Sequence, residues 1–164
     1  MRKVIGFCTS LILSFAISCN NEQIEPFQLS INDSNYSLAY SLLYQLSDQK
    51  LVIIYRGGLE NEKDSILYST TELPKAKLRK ISAINIDSLK TSYRNRCIDD
   101  GDIKTFSLSK NGKTKTIHLS NYYHPELSPT IELINQIVPK KYQMHYDMED
   151  LITEMKNCEE NVFQ

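Results

Sequence analysis

The sequence predicts an α+β fold of two layers, a mainly antiparallel sheet with helices packed on one face, built from tandem hairpin-plus-helix units. Three observations carry that expectation. Asn111-Gly112 sits between two alternating runs, the strongest short-range hairpin signal. Asp48-Gln49-Lys50 separates another pair of β-prone runs, and each pair is followed by apolar residues at helical spacing. With 164 residues, 41% of them hydrophobic, the chain has the material for one core and little room for two.

Residues 1–18 read as a signal peptide. Arg2 and Lys3 make the positive start, Val4 to Ile17 the apolar run, and Ala16 and Ser18 the small residues before a cleavage point. The run falls short of the ~20 apolar residues that a membrane-spanning helix needs, so the chain is expected to be exported whole. Ala16-Ile17-Ser18-Cys19 resembles the lipobox of bacterial lipoproteins, with Ala16 where Leu is usual. The resemblance implies cleavage before Cys19, acylation of that residue with chains such as palmitate, and attachment to the bacterial cell envelope, at the outer membrane rather than the inner. The alternative is an ordinary small-x-small signal-peptidase site at Ala16 and Ser18, releasing a soluble protein. Two or more acyl chains anchor stably where one does not. Arg2 and Lys3 leave with the signal, so 19 basic residues become 17 against 20 acidic and the net charge becomes -3. Such a surface lends no polybasic support, and membrane contact rests on the lipid.

Asn20 to Ser34 is polar, carries Pro26 and shows no sustained period, so residues 19–34 are expected to be a lipid-attached flexible tether and 35–164 a single domain. From Tyr36 to Leu46 aromatic and aliphatic residues alternate with Ser37, Ser41 and Gln45, a half-buried strand. Leu51 to Arg56 is continuously apolar and β-branched, a more central partner, and Ser65 to Thr70 is a third strand. Pro74 marks a helix start, Leu78, Ile81 and Ile84 a helical stripe, and Asp87 a cap for further helical turns carrying Leu89 and Tyr93. Ile103 to Ser109 and Thr114 to Ser120 flank Asn111-Gly112, with Phe106 and Leu108 expected to face Ile117 and Leu119. Ser128-Pro129 reads as a cap and first helical position before Ile131, Ile134 and Ile137. Tyr142, Met144 and Tyr146 alternate as a short strand, and Asp147 can cap a last helix through Leu151, Met155 and Cys158. This element order is similar to the tandem hairpin-helix modules of secreted bacterial inhibitors such as the β-lactamase-inhibitor-like fold.

Cys8 leaves with the signal and Cys19 is the proposed lipid acceptor, which leaves Cys97 and Cys158 in an exported domain. They are expected either to form a disulfide, worth about 4 kcal/mol for a loop of this length, or to be two separate thiols, Cys158 lying on an apolar stripe. His118, His124 and His145 match no zinc spacing, and Asp99, Asp100 and Asp102 lack the ligand pattern of a calcium loop, so no metal or cofactor is expected. The near-neutral charge excludes a dedicated nucleic-acid binder. With no nucleophile elbow and no Gly-rich phosphate loop, no catalytic residue is named and the chain is not expected to be an enzyme. Ten tyrosines without tryptophan are read chiefly as strand formers, and Tyr122, Tyr123 and His124 as a candidate partner surface. The expected function is that of a small lipid-anchored envelope protein binding another protein or an envelope polymer. The alternative is an inhibitor or immunity-type protein that plugs an enzyme with a protruding loop, Gly57 to Asp64 or Tyr122 to Pro125.

Overall fold

A computed structural model describes residues 24–34, 40–57, 61–98, 101 and 103–162 of the chain. Phe27, Leu29 and Ile31 alternate with Gln28, Ser30 and Asn32, and this short period-two run forms β1 (Phe27–Ser34), the middle strand of a seven-stranded sheet. The tether expected over 19–34 is therefore corrected: residues 27–34 belong to the fold, and the domain begins near Phe27 rather than at residue 35. Phe27 is 3% exposed, Leu29 1% and Ile31 0%, burial that contributes several kcal/mol at ~25 cal/mol per Å². A free tether would forgo all of it.

The remaining strands are β2 (Tyr40–Ser47), β3 (Leu51–Gly57), β4 (Ser65–Thr70), β5 (Ser92–Arg94), β6 (Ile103–Lys110) and β7 (Lys113–Ser120). Their order across the sheet is β4-β3-β2-β1-β6-β7-β5, so the two hairpin units stand on either side of β1. Every neighbouring pair is antiparallel except β5 with β7. Tyr44 faces Ile53 and Leu46 faces Leu51 in the first hairpin. In the second, Phe106 pairs with Ile117 while Leu108 lies opposite Lys115. The turn between β6 and β7 holds both Asn111 (φ 50°) and Gly112 (φ 74°) in the left-handed region, which Asn and Gly tolerate best.

One face of the sheet carries the core. Leu78 and Ile81 of α1 (Lys75–Ser82) and Ile131, Leu133 and Ile134 of α2 (Ser128–Ile137) pack with Leu29, Ile31, Tyr44, Ile53, Phe106 and Ile117 in one cluster. Both helices thus cover the same face, as an α+β two-layer fold requires. The third helix, α3 (Met148–Val162), starts where Asp147 Oδ1 accepts the Asp150 N–H at 3.0 Å, an N-cap. Its Leu151, Ile152 and Met155 are only half-buried and lie outside the main cluster. No helix among the described residues is long and apolar enough to cross a membrane.

Two expected elements are corrected. Asp87 does not cap a helix: Asn85 Oδ1 accepts the Asp87 N–H at 3.0 Å and the Asn85 carbonyl accepts the Ser88 hydroxyl at 2.8 Å, which closes a turn. The chain then extends, the His118 N–H donates to the Thr91 carbonyl at 2.9 Å, and Tyr93 sits in β5. Nor do Tyr142, Met144 and Tyr146 make a strand. Lys140–Tyr142 is a 3-10 turn, and the Met144 N–H and carbonyl are both satisfied by the side-chain amide of Asn135, at 2.8 and 2.9 Å. A single side chain from α2 does for Met144 what a neighbouring strand would have done. Asn135→Ala is expected to destabilise the fold by about 2 kcal/mol, the cost of leaving such backbone groups unsatisfied. An unchanged urea midpoint would show that solvent replaces the amide without loss.

Candidate functional site

The face of the sheet opposite the described helices is built from the alternate residues of each strand. On β1 these are Gln28, Ser30 and Asn32, opposite Ser47, Gln45 and Leu43 of β2 on one side and Ser109, Ser107 and Thr105 of β6 on the other. The hydroxyls are drawn together across the second hairpin, with Ser109 Oγ 2.8 Å from Thr114 Oγ1 and Thr105 Oγ1 3.1 Å from His118 Nδ1. Between the β2–β3 and β6–β7 turns this face forms a groove of about 830 Å³, lined by Gln28, Ser30, Gln45, Ser107, Ser109 and Thr114 and edged by Asp48, Lys50, Lys110 and Lys113. Toward β4 it becomes apolar: Leu43 and Val52 are buried, and Ile66 is 70% exposed. Chemically, the groove offers hydroxyl and amide groups to a polar partner, with three ammonium groups and one carboxylate at its rim.

At the opposite end of the sheet the chain assembles a second constellation. The Asn95 N–H donates to the Ser120 carbonyl at 3.1 Å, and Asn95 Oδ1 accepts the Cys97 N–H at 3.1 Å, which presents Cys97 beyond β5. There it is bridged to Cys158 of α3, with Cα atoms 5.6 Å apart. The Tyr123 N–H meets Met155 Sδ at 3.2 Å, a further contact between α3 and the body. Under α3, Lys104 is only 2% exposed and its ammonium lies 2.6 Å from Asp33 Oδ1. Leu119, Asn121, Tyr146 and Leu151 share with Lys104 a cavity of about 10 Å³.

His124 is corrected as a surface residue, because it is 7% exposed and serves the start of α2. Its N–H donates to Ser128 Oγ at 2.9 Å, and its Nδ1 accepts the N–H groups of Glu126 and Leu127 at 3.3 and 3.4 Å. The imidazole, not the Ser128 hydroxyl, caps the turn that leads into the helix. Its ring lies edge-on to Tyr93 at 4.5 Å, and Tyr93 in turn stands 5.5 Å from Tyr122. Tyr122 and Tyr123 are half-buried, so the expected partner surface is reduced to their outer edges, and Tyr122 to Pro125 is no protruding loop.

Burial holds the His124 pKa below the ordinary 6.5, against a smaller upward pull from Glu126. Above pH 6.5 both folded and unfolded imidazoles are neutral and the contribution is complete. As the pH falls below that value the unfolded chain takes up a proton that the folded one refuses, and stability declines until the folded group also titrates. A urea midpoint that falls between pH 7.5 and 5.5 in the wild type, by more than in His124→Gln, is the expected result; equal declines would remove His124 as the cause.

His118 and His145 are exposed, on β7 and in the segment before α3. Tyr44 is fully buried and its hydroxyl donates to the Tyr142 carbonyl at 2.9 Å, while Tyr68 packs against the Tyr142 ring at 6.3 Å. These tyrosines serve the core. Cys19, Tyr36, Asp99, Asp100 and Asp102 lie outside the described residues, as does part of the loop from Gly57 to Asp64. The groove residues were not singled out from sequence, although their signal, Ser, Gln and Thr at every second position, runs through the strands on both sides of β1. The chain matches no protein-family model, no curated protein and no solved structure.

Proposed function

We propose that the protein is a lipid-anchored component of a bacterial cell envelope, at the outer membrane, whose domain binds a partner without chemistry of its own. The observation that supports the binding role is the groove of about 830 Å³ on the sheet face opposite the described helices, where hydroxyl and amide side chains are edged by Asp48, Lys50, Lys110 and Lys113. The partner is a protein segment or envelope polymer rich in hydroxyl and amide groups. Anchoring follows from the lipobox-like Ala16-Ile17-Ser18-Cys19 and supplies the membrane contact.

Two measurements test the two halves. Intact mass of the protein from its native membrane fraction should show a chain beginning at Cys19 with added acyl mass; an unacylated chain in the soluble fraction would end the anchored reading and favour the inhibitor one. Filling the groove with Ser107→Trp should abolish cosedimentation with purified envelope polymer or capture of the cognate protein while leaving the urea midpoint unchanged. Undiminished binding by a folded Ser107→Trp would place the partner elsewhere.

A further inference from the structure

We propose that the end of the sheet carrying the β2–β3 and β6–β7 turns faces the lipid headgroups of the bilayer that holds Cys19, while the end carrying the Cys97–Cys158 bridge faces away. This rests on the anchored reading above and adds an orientation to it.

Phe27 pairs with Lys110, and Gln28 with Ser47, so β1 starts at the same end of the sheet as the two turns. Ile24 packs against the core and Glu25 Oε2 lies 3.5 Å from Lys110 Nζ, so at most five residue steps separate Cys19 from the folded body. An unconstrained chain of five steps would have a root-mean-square span of about 12 Å and could not exceed about 18 Å. β1 itself, with eight residues, is about 26 Å long. For the far end of the sheet to touch the bilayer, Phe27 would have to stand a full strand length above it. That leaves the tether straight at best, with nearly all its conformational freedom lost. With the near end down, a relaxed tether suffices.

Because the polar groove opens between the two near turns, its occupant is held within a tether length of the bilayer.

The test uses the full-length lipidated chain, carrying a donor dye on a click-reactive residue that replaces either Gln49 at the near end or Lys63 at the far end. The chain is reconstituted in phosphatidylcholine vesicles with an acceptor on the headgroups. Energy transfer is expected to be several-fold greater from position 49 than from position 63, and a Gly-Ser insertion of about ten residues between Asn21 and Glu22 should shrink the difference. Equal or reversed transfer on membrane-bound protein overturns the orientation and leaves anchoring intact. A difference that survives the insertion overturns the tether as its cause. Absence of transfer from both positions, with the chain in solution like Cys19→Ala, overturns the anchored reading and the orientation with it.

Discussion

Replacing Cys97 and Cys158 with Ser is expected to lower the free energy of unfolding by about 4 kcal/mol, through the greater freedom of the unfolded chain once its loop is opened. The sequence separation of 61 makes that loop long. The effect should have a local face as well. Helix α3 lies outside the main core cluster, with Leu151, Ile152 and Met155 only half-buried, so the covalent bond carries much of its attachment. Hydrogen exchange of 148–158 should therefore rise further than that of β1 or β6. A double Cys→Ser variant within about 0.5 kcal/mol of wild type, with unchanged exchange in α3, would contradict both expectations.

Asp33→Ala should cost about 3 kcal/mol, because it removes the carboxylate beside a Lys104 ammonium that is almost wholly out of water. The pair bridges β1 and β6 on the core face, at the end of the strands covered by α3. An apolar replacement of both partners, Asp33→Leu with Lys104→Met, should recover most of the loss, since desolvating two charges offsets much of their attraction. Urea denaturation of the two variants separates the outcomes. If the double variant is as unstable as Asp33→Ala, shape rather than charge governs the site.

Local chemistry made part of this fold legible. Asn111-Gly112 marks a turn that only residues tolerant of positive φ enter easily, and Asp147 precedes a helix whose Asp150 N–H it accepts. The missed pieces depend on partners far along the chain. β5 has three residues and exists because β7 lies alongside it. Met144 shows the alternation of a strand, yet its backbone is satisfied by Asn135, which no periodicity reveals. β1 was hidden because Ser30, Asn32 and Ser34 read as linker until two strands flank them. The candidate groove was less legible still, since strands from both halves of the chain line it. Elimination narrows four cysteines to Cys97 and Cys158, but their 5.6 Å Cα separation depends on β5 carrying one and α3 reaching the other.

The central position of β1 also sets the order in which the chain can be completed. β2 follows β1 closely and can pair early, but the other partner, β6, joins through Phe27↔Lys110 and Asp33↔Lys104, contacts that span most of the domain. Loops that long close slowly, and folding rates fall as contacts become less local. Until β6 arrives, a nascent sheet of β1 to β4 presents the bare hydrogen-bonding edge of β1. That interval, rather than the finished fold, is when the chain is most open to strand exchange with its copies. A slow refolding phase that accelerates when β6 is moved closer to β1 by circular permutation, with aggregation confined to that phase, is the kinetic signature to expect.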